Sequence, residues 1–454
     1  MSDVTPDAGR RIAQPLELPC GAVLPNRLAK VSMTEGVADA QLRPTAAHVA
    51  LYRKWAEGGA GLLLTGNVMI DRRVLERPGN VALDPAPPDA ETRQRLKAWA
   101  QAGTCAGNHL WMQINHPGRQ SPWYVAAQPL SPSEVQLKVL ATFRKPRALT
   151  EPEILDFIDR WARVAATARE TGFTGVQIHA AHGYLLSQFL SPLTNRRTDA
   201  WGGALENRAR MLLETVSAVR KAVGPDFPIS IKLNSADFQK GGFTREECVQ
   251  VVQWLNEKTV DLLEISGGTY EQPRLLSNSG DVESAVGTAA GTPKAASTQR
   301  REAYFMEYAA DIRRIARMPV MVTGGFRTLA GMEAALASGG TDMIGLARPL
   351  CVQTDGPRQL LSGAVDHLEA YENRLDFGPG VLGPASSIRS IKSMNTFGQL
   401  GWFCLQIMHM AHGRPYALGL GGFGALMRYM TNEYRTAWRL RGARRQQKQE
   451  RAAG

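Results

Sequence analysis

The sequence predicts an α/β fold, a (β/α)8 TIM barrel followed by a helical, basic C-terminal extension. Three observations carry that expectation. Short β-branched or apolar runs alternate with helix-length amphipathic segments, the pattern of parallel strands joined by crossover helices. Eight such runs occur, the number that closes a barrel. The chain has 454 residues, 44% of them hydrophobic, which is enough to bury a barrel core and still carry an appendage.

In chain order the expected strands are 26–33, 61–70, 109–115, 175–181, 229–234, 260–267, 320–325 and 342–348. Helices are expected at 46–58, 91–103, 151–172, 205–223, 244–258, 302–317 and 328–339. In the 151–172 segment Ile154, Phe157, Ile158, Trp161, Val164 and Ala165 recur at helical spacing behind the capping candidate Thr150. Residues 276–300 are small and polar and follow the sixth strand, so they read as a mobile lid or loop. The barrel is expected to span 1–383 and the extension 384–454. Residues 393–413 lack Asp, Glu, Lys and Arg, yet Asn395, Gln399, Gln406 and two histidines argue against a lipid-spanning helix. A helix docked on the barrel or on a partner subunit is one reading. An interfacial membrane contact aided by the basic tail is the other.

The net charge of +11 raises nucleic acid or an anionic membrane as partners, but its location matters more than its size. Arg435, Arg439, Arg441, Arg444, Arg445, Lys448 and Arg451, set against Glu433 and Glu450, supply about half of the excess. Residues 431–454 therefore read as a solvated basic helix or disorder, dispensable for the barrel, with an anionic membrane or protein surface as its contact. The barrel is only mildly basic, which suits an anionic cofactor or substrate and gives no reason to expect nucleic acid. Cys20, Cys105, Cys248, Cys351 and Cys404 lie far apart with no Cys-x-x-Cys spacing, so an iron–sulfur cluster or structural zinc is not expected and a redox cofactor should be organic. No apolar run near the start has the length of a signal-peptide core, and a cytoplasmic location is expected.

Barrel active sites sit where strands give way to loops at the carboxyl face. The unusual residues fall there: Gln113, Asn115 and His116 after strand three, His179 and His182 after strand four, Lys232 and Asn234 at strand five, Ser266 to Gly268 at strand six. Strand seven ends in Thr323-Gly324-Gly325-Phe326-Arg327 and strand eight in Gly345-Leu346-Ala347-Arg348. Paired glycine turns with an arginine are a phosphate-binding arrangement, because backbone N–H groups can approach closely and the guanidinium adds a charged donor. Two glycine turns beside a surface arginine are the plainer alternative. His179-Ala-Ala-His182 brings two imidazoles to one small anion or carbonyl oxygen, and Tyr184 adds a phenol able to deliver a proton. With no acidic or cysteine companion the two histidines make only half of a metal-ligand set, so no metal is assigned. Two structural histidines remain the other alternative.

The run from Ile178 through His179, His182, Tyr184, Gln188, Ser191, Asn195, Arg197, Asp199, Gly202 and Gly203 to Glu206-Asn207-Arg208 resembles the signature of the old yellow enzyme or NADH:flavin oxidoreductase family. Pro25-Asn26-Arg27 with Ser32-Met33-Thr34, Gln113 to Arg119, Ile265 to Glu271, and the strand-seven and strand-eight loops match in the same order across residues 15 to 380. The resemblance implies bound FMN, NAD(P)H as transient reductant, and hydride transfer to the activated alkene of an α,β-unsaturated carbonyl or similar small molecule. It implies that Ser32, Met33 and Thr34 flank the flavin ring, with Gly66 the small residue after strand two. Gln113 corresponds to the glutamine on the pyrimidine edge of FMN. Lys232 takes the place of a basic residue that stabilises the anionic reduced flavin. Gly324, Gly325, Ala347 and Arg348 correspond to the phosphate grip, His179 and His182 to the carbonyl clamp, and Tyr184 to the proton donor. The chain lacks the cysteine motifs of the multidomain members. Dehydrogenation or oxidative demethylation on the same barrel is the alternative chemistry, and a flavin-barrel binding or scaffold protein recruited by its tail is the alternative class. The natural substrate, the choice of NADH or NADPH and the oligomeric state stay open.

Overall fold

A computed structural model describes residues 9–83, 87–266, 311–384 and 386–453. Within them the eight expected strands form: β1 Leu28–Lys30, β2 Leu62–Leu64, β3 His109–Asn115, β4 Gly175–Ala180, β5 Ile229–Asn234, β6 Leu262–Ser266, β7 Val320–Thr323 and β8 Met343–Leu346. All pair in parallel, and the ring closes because β8 pairs β1 through Ile344 and Leu28 while β2 pairs β3 through Leu62 and His109. The expected strand 61–70 is interrupted. Its ladder ends at Leu64 and resumes as Val68–Met69, because the Gly66 N–H turns away to Glu35 Oε1 at 2.8 Å and Tyr52 Oη at 3.1 Å.

The described helices are α1 Ala46–Ala56, α2 Ala90–Gly103, α3 Glu151–Glu170, α4 Leu185–Leu190, α5 Leu205–Val223, α6 Arg245–Asn256, α7 Leu329–Ala337, α8 Gly356–Ser362, α9 Arg389–Ala411 and α10 Gly422–Ala453. Helix α3 begins where the sequence marks it. Thr150 and Glu153 form a capping box, with the Thr150 N–H donating to Glu153 Oε2 at 2.9 Å, so donors that the first turn leaves free are satisfied. Its apolar face, Ile154 to Ala165, is buried. Residues 276–300 and most of the expected helix 302–317 lie outside the described residues; of the latter, 311–315 is helical.

Side chains alternate across a strand, so every second residue points into the barrel. The lowest interior layer is apolar. Ala29, Leu62, Trp111, Leu262, Met321 and Met343 pack there against Leu16, Leu18 and Leu24 of an antiparallel hairpin, Leu16–Glu17 with Val23–Leu24, which plugs the barrel floor. Trp111 takes the space beside Gly175, where a Cβ would come within 2.5 Å of the indole. Burying each such Leu or Met is worth about 1.5–3 kcal/mol.

Helix α9 docks on the barrel: Trp402, Phe403, Ile407 and Met410 share one buried cluster with the strands and outer helices. Among the described residues no helix is long and apolar enough to cross a membrane. The expectation of a solvated tail over 431–454 is corrected for its first half. Glu433 is fully buried and pairs with Arg77 at 2.6 Å, while Ala437 and Leu440 pack with Leu42, Met69 and Leu75. Arg444 donates to the Val125 carbonyl at 3.0 Å and also to the Arg72 carbonyl. Glu433 reads as a simple counter-charge in sequence because its partner is 356 residues away.

Replacing Glu433 by Ala strands the Arg77 guanidinium, 3% exposed, without its carboxylate. Removing one partner of a buried pair costs about 3–5 kcal/mol. Denaturant melts should therefore show a large loss for Glu433→Ala, whereas Arg439→Ala, on the exposed side of the same helix, should stay within about 0.5 kcal/mol of the parent. Equal midpoints for the two variants would refute the latch.

Candidate active site

Above the apolar layer the inward positions turn polar. Gln113 on β3 lies in register with Gln177 on β4, and Lys232 on β5 lies in register with Glu264 on β6. A continuous hydrogen-bonded chain results. Ser32 Oγ donates to Gln113 Oε1 at 2.6 Å, Gln113 Nε2 to Gln177 Oε1 at 2.6 Å, and Gln177 Nε2 to Glu264 Oε2 at 2.7 Å. Glu264 Oε1 in turn accepts from Thr323 Oγ1 at 2.7 Å and from Lys232 Nζ at 2.8 Å. Glu264 is fully buried, and each of its oxygens has a donor, which is the condition under which an interior charge is tolerated.

At the strand ends this floor opens into a cavity of about 260 Å³. It brings together Ser32, Met33, Thr34, Gln113, His179, His182, Tyr184, Lys232, Gly324, Gly325, Ala347 and Arg348, from the end of the first strand to the end of the last. Of the residues singled out in sequence, Gly66 is not in the lining. It lies behind the wall, where a Cβ would meet Glu35 Oε2 at 2.1 Å. His116 also stays out: its ring packs on Phe157 at 4.8 Å and its Nδ1 accepts the Gly118 N–H.

The His179, His182 and Tyr184 rings cluster, with centroids 5.1 Å apart for the two histidines and 4.8 Å for His179 and Tyr184. Burial, reinforced by His182 and Lys232, holds the His179 pKa well below its ordinary value; burial and then Lys232 do the same for His182. Both rings are therefore neutral at physiological pH. The Ala181 N–H donates to His179 Nδ1 at 3.2 Å, which puts the ring proton of His179 on Nε2. His182 Nε2 lies 2.8 Å from Ser266 Oγ. His182 takes φ +60°, a left-handed conformation held by its N–H donating to Asn234 Oδ1 at 3.0 Å.

Gly324 and Gly325 adopt φ +119° and +85°, and no side chain of their own covers their N–H groups. Beside them Arg327 Nη2 and Arg348 Nη1 reach Glu372 Oε1 at 2.6 and 3.3 Å. Burial would raise the Glu372 carboxyl, but Arg348 and Arg327 outweigh it and hold its pKa below the usual range. Both guanidinium groups are thereby held at the strand-seven and strand-eight ends. The glycine turn, the Arg348 guanidinium beside it and the donors of Lys232 and Gln113 fit a phosphorylated, polar-edged planar ligand such as FMN. Among the described residues no group of three His, Cys, Asp or Glu side chains could hold a metal ion.

Sequence reasoning missed Gln177, Glu264 and Glu372, and the lining contributed by Glu76, Arg77, Cys351 and the C-terminal helices. For Gln177 and Glu264 a signal existed: each is a polar side chain at an inward position of an otherwise apolar strand.

Residues 12–366 match the model of the family described as NADH:flavin oxidoreductase / NADH oxidase. The chain is 37% identical over 355 residues to the NADH-dependent flavin oxidoreductase iliE of Neonectria sp. (strain DH2), covering 75% of this chain and 45% of that protein. It is 35% identical over 367 residues to the protein of the same name from Hypocrea jecorina (strain QM6a), covering 76% and 88%. Among solved structures, an old yellow enzyme homologue from Zymomonas mobilis superposes with a TM-score of 0.64 at 25% identity, covering 79% of this chain and 94% of that one.

The neutral histidines have a consequence for stability. Their folded pKa values lie below the unfolded value near 6.5, so the unfolded chain binds more protons as pH falls. Stability should be fully present above pH 6.5 and drop as pH falls towards the folded values, by up to about 1.4 kcal/mol per pH unit for each ring. His179→Asn with His182→Asn should flatten the dependence of unfolding free energy on pH below 6.5; an unchanged slope would mean the rings are charged when folded.

Proposed function

The chain belongs to the NADH:flavin oxidoreductase / NADH oxidase family, oxidoreductases that carry FMN and draw on NAD(P)H, and from that premise we propose that it reduces the activated C=C bond of an α,β-unsaturated carbonyl or a similar alkene. The observation that carries the proposal is the cluster of two neutral imidazoles, His179 buried and His182 half-buried, with a phenol in the lining of the cavity. When bound, FMN supplies the hydride that it has taken from NAD(P)H.

The chain's own groups have separate tasks in this reading. His179, through Nε2–H, and His182 donate hydrogen bonds to the substrate carbonyl oxygen, and both strengthen as negative charge develops there, which lowers the barrier. Neutral donors suit this task, since the ring proton is shared and not lost. Tyr184, packed edge-on against His179, delivers the proton to the α-carbon. Lys232 and Gln113 hold the polar edge of the flavin, and Ser32, Met33 and Thr34 line its ring. Gly324, Gly325, Ala347 and Arg348 hold its phosphate, with Glu372 fixing the Arg348 guanidinium. Glu264 holds Lys232 in place.

Denaturing the purified protein should release FMN, identified by chromatography; FAD in its place would overturn the assignment of the phosphate grip. Arg348→Ala should retain less FMN through dialysis, because a charged phosphate contact is removed.

The two half-reactions can be separated by stopped flow. His179→Ala with His182→Ala should slow reoxidation by 2-cyclohexenone by about 100-fold or more, the usual effect of losing oxyanion donors, while bleaching by NAD(P)H changes much less. Tyr184→Phe should slow reoxidation as well. Wild-type reoxidation in the double variant would remove the histidines from the mechanism.

A further inference from the structure

The floor of the cavity is polar, and the side facing it comes from a different part of the chain. Thr396, Gln399, Leu400, Phe403, Cys404 and Ile407 of α9 all line it, at the three- and four-residue spacing of a single helix face, and Tyr429 of α10 joins them. These residues lie beyond 12–366, the segment that matches the family. The roof thus comes from outside the segment that matches the family.

The roof is fixed in place. A Cβ on Gly401 would come within 2.8 Å of the Tyr429 side chain, so this glycine lets α10 approach α9 closely. The buried Arg77–Glu433 pair ties α10 to the barrel. The same pair settles the charge of this side. Arg77 lines the cavity, but its Nε and Nη2 go to Glu433 Oε1, its Nη1 lies 3.2 Å from Cys404 Sγ, and its guanidinium stands 5.0 Å from the Tyr429 ring. Glu76 in turn accepts from Thr34 Oγ1 at 2.9 Å. Leu400, Phe403 and Ile407 line the same cavity as the histidine cluster, and the cation beside them is already neutralised.

We propose that α9 and Tyr429 form the specificity wall of the site and select an activated alkene with a bulky, uncharged, apolar body, discriminating against bodies that carry a carboxylate. This rests on the ene-reductase reading above and names the substrate class within it. The physical basis is asymmetric. An apolar body gains by leaving water against Leu400 and Phe403, while an anionic one would be desolvated opposite a guanidinium that has no charge left to offer.

The test compares substrates with one reacting group and different bodies: 2-cyclohexenone, trans-4-phenyl-3-buten-2-one and its para-carboxylate. The wild-type holoenzyme should use the phenyl ketone at least about tenfold more efficiently than the carboxylate, the scale on which a pocket discriminates by apolar contact. Phe403→Ala and Leu400→Gln should each lower kcat/KM for the phenyl ketone about tenfold relative to 2-cyclohexenone, mostly through KM, with bleaching by NAD(P)H unchanged. Leu400 is half-buried, so its variant keeps the fold if Phe403→Ala does not. Equilibrium dialysis with the saturated ketone 4-phenyl-2-butanone reads the wall without turnover, and its Kd should rise about tenfold in either variant. Unchanged substrate ratios and an unchanged Kd, or equal use of the carboxylate, would overturn the proposal. Failure of the wild type to reduce any of the enones would sink the ene-reductase reading instead, and the dialysis would still report on the wall.

Discussion

The Lys232–Glu264 pair at the centre of the barrel is the constraint on which the rest depends. Removing two charges from water costs several kcal/mol per ion, and the pair is tolerated only if the remaining hydrogen-bonding capacity is met. Here it is met by Thr323 and Gln177, and through Gln177 the demand passes to Gln113 and Ser32. Strands β3 to β7 and the end of β1 therefore contribute to one network. A slip of one residue in any of these strands would turn its polar group outwards and leave a partner unsatisfied. The network thus fixes the register of the barrel and, with it, the height at which His179 and Ser266 emerge at the mouth.

The same arrangement explains the change of character along the barrel axis. Below the network the interior is Trp111, Leu262, Met321 and Met343, sealed by the Leu16–Leu24 hairpin; above it are donors. Several strands carry this gradient in their own sequence. In β6, Leu262, Glu264 and Ser266 are successive inward residues, and in β4 they are Gly175, Gln177 and His179. The neutrality of the histidines follows from their position, since burial and the nearby ammonium of Lys232 both oppose a second positive charge.

Much of this was legible because it is periodic. The eight strands, the capping box of α3 and the polar strand ends all follow from local rules, and the residues expected to hold flavin and substrate, Gly66 apart, line one cavity, while Asn115, His116 and Asn234 do not. What was not legible depends on long-range contact. Gly66 reads as a lining residue beside a strand end, yet its N–H is claimed by Glu35 and Tyr52, which also breaks the strand there. The uncharged face of α9 was readable as a docking surface, but its destination over the mouth was not. Glu433 looked like one acid in a basic tail until Arg77 was seen opposite it.

The separation between Arg77 and Glu433 also imposes an order in time. A ribosome delivers the chain from its N-terminus at about 5–20 residues per second, so β8, whose Ile344 closes the ring on Leu28, emerges on the order of ten seconds before the end of α10. Ring closure joins residues far apart in sequence and is itself a slow, non-local event. The latch, spanning 356 residues, is later still. During that interval all eight strands of the barrel have been made while α9 and α10 have not. The wall that α9 and Tyr429 give the cavity is therefore the last part of it to be synthesised.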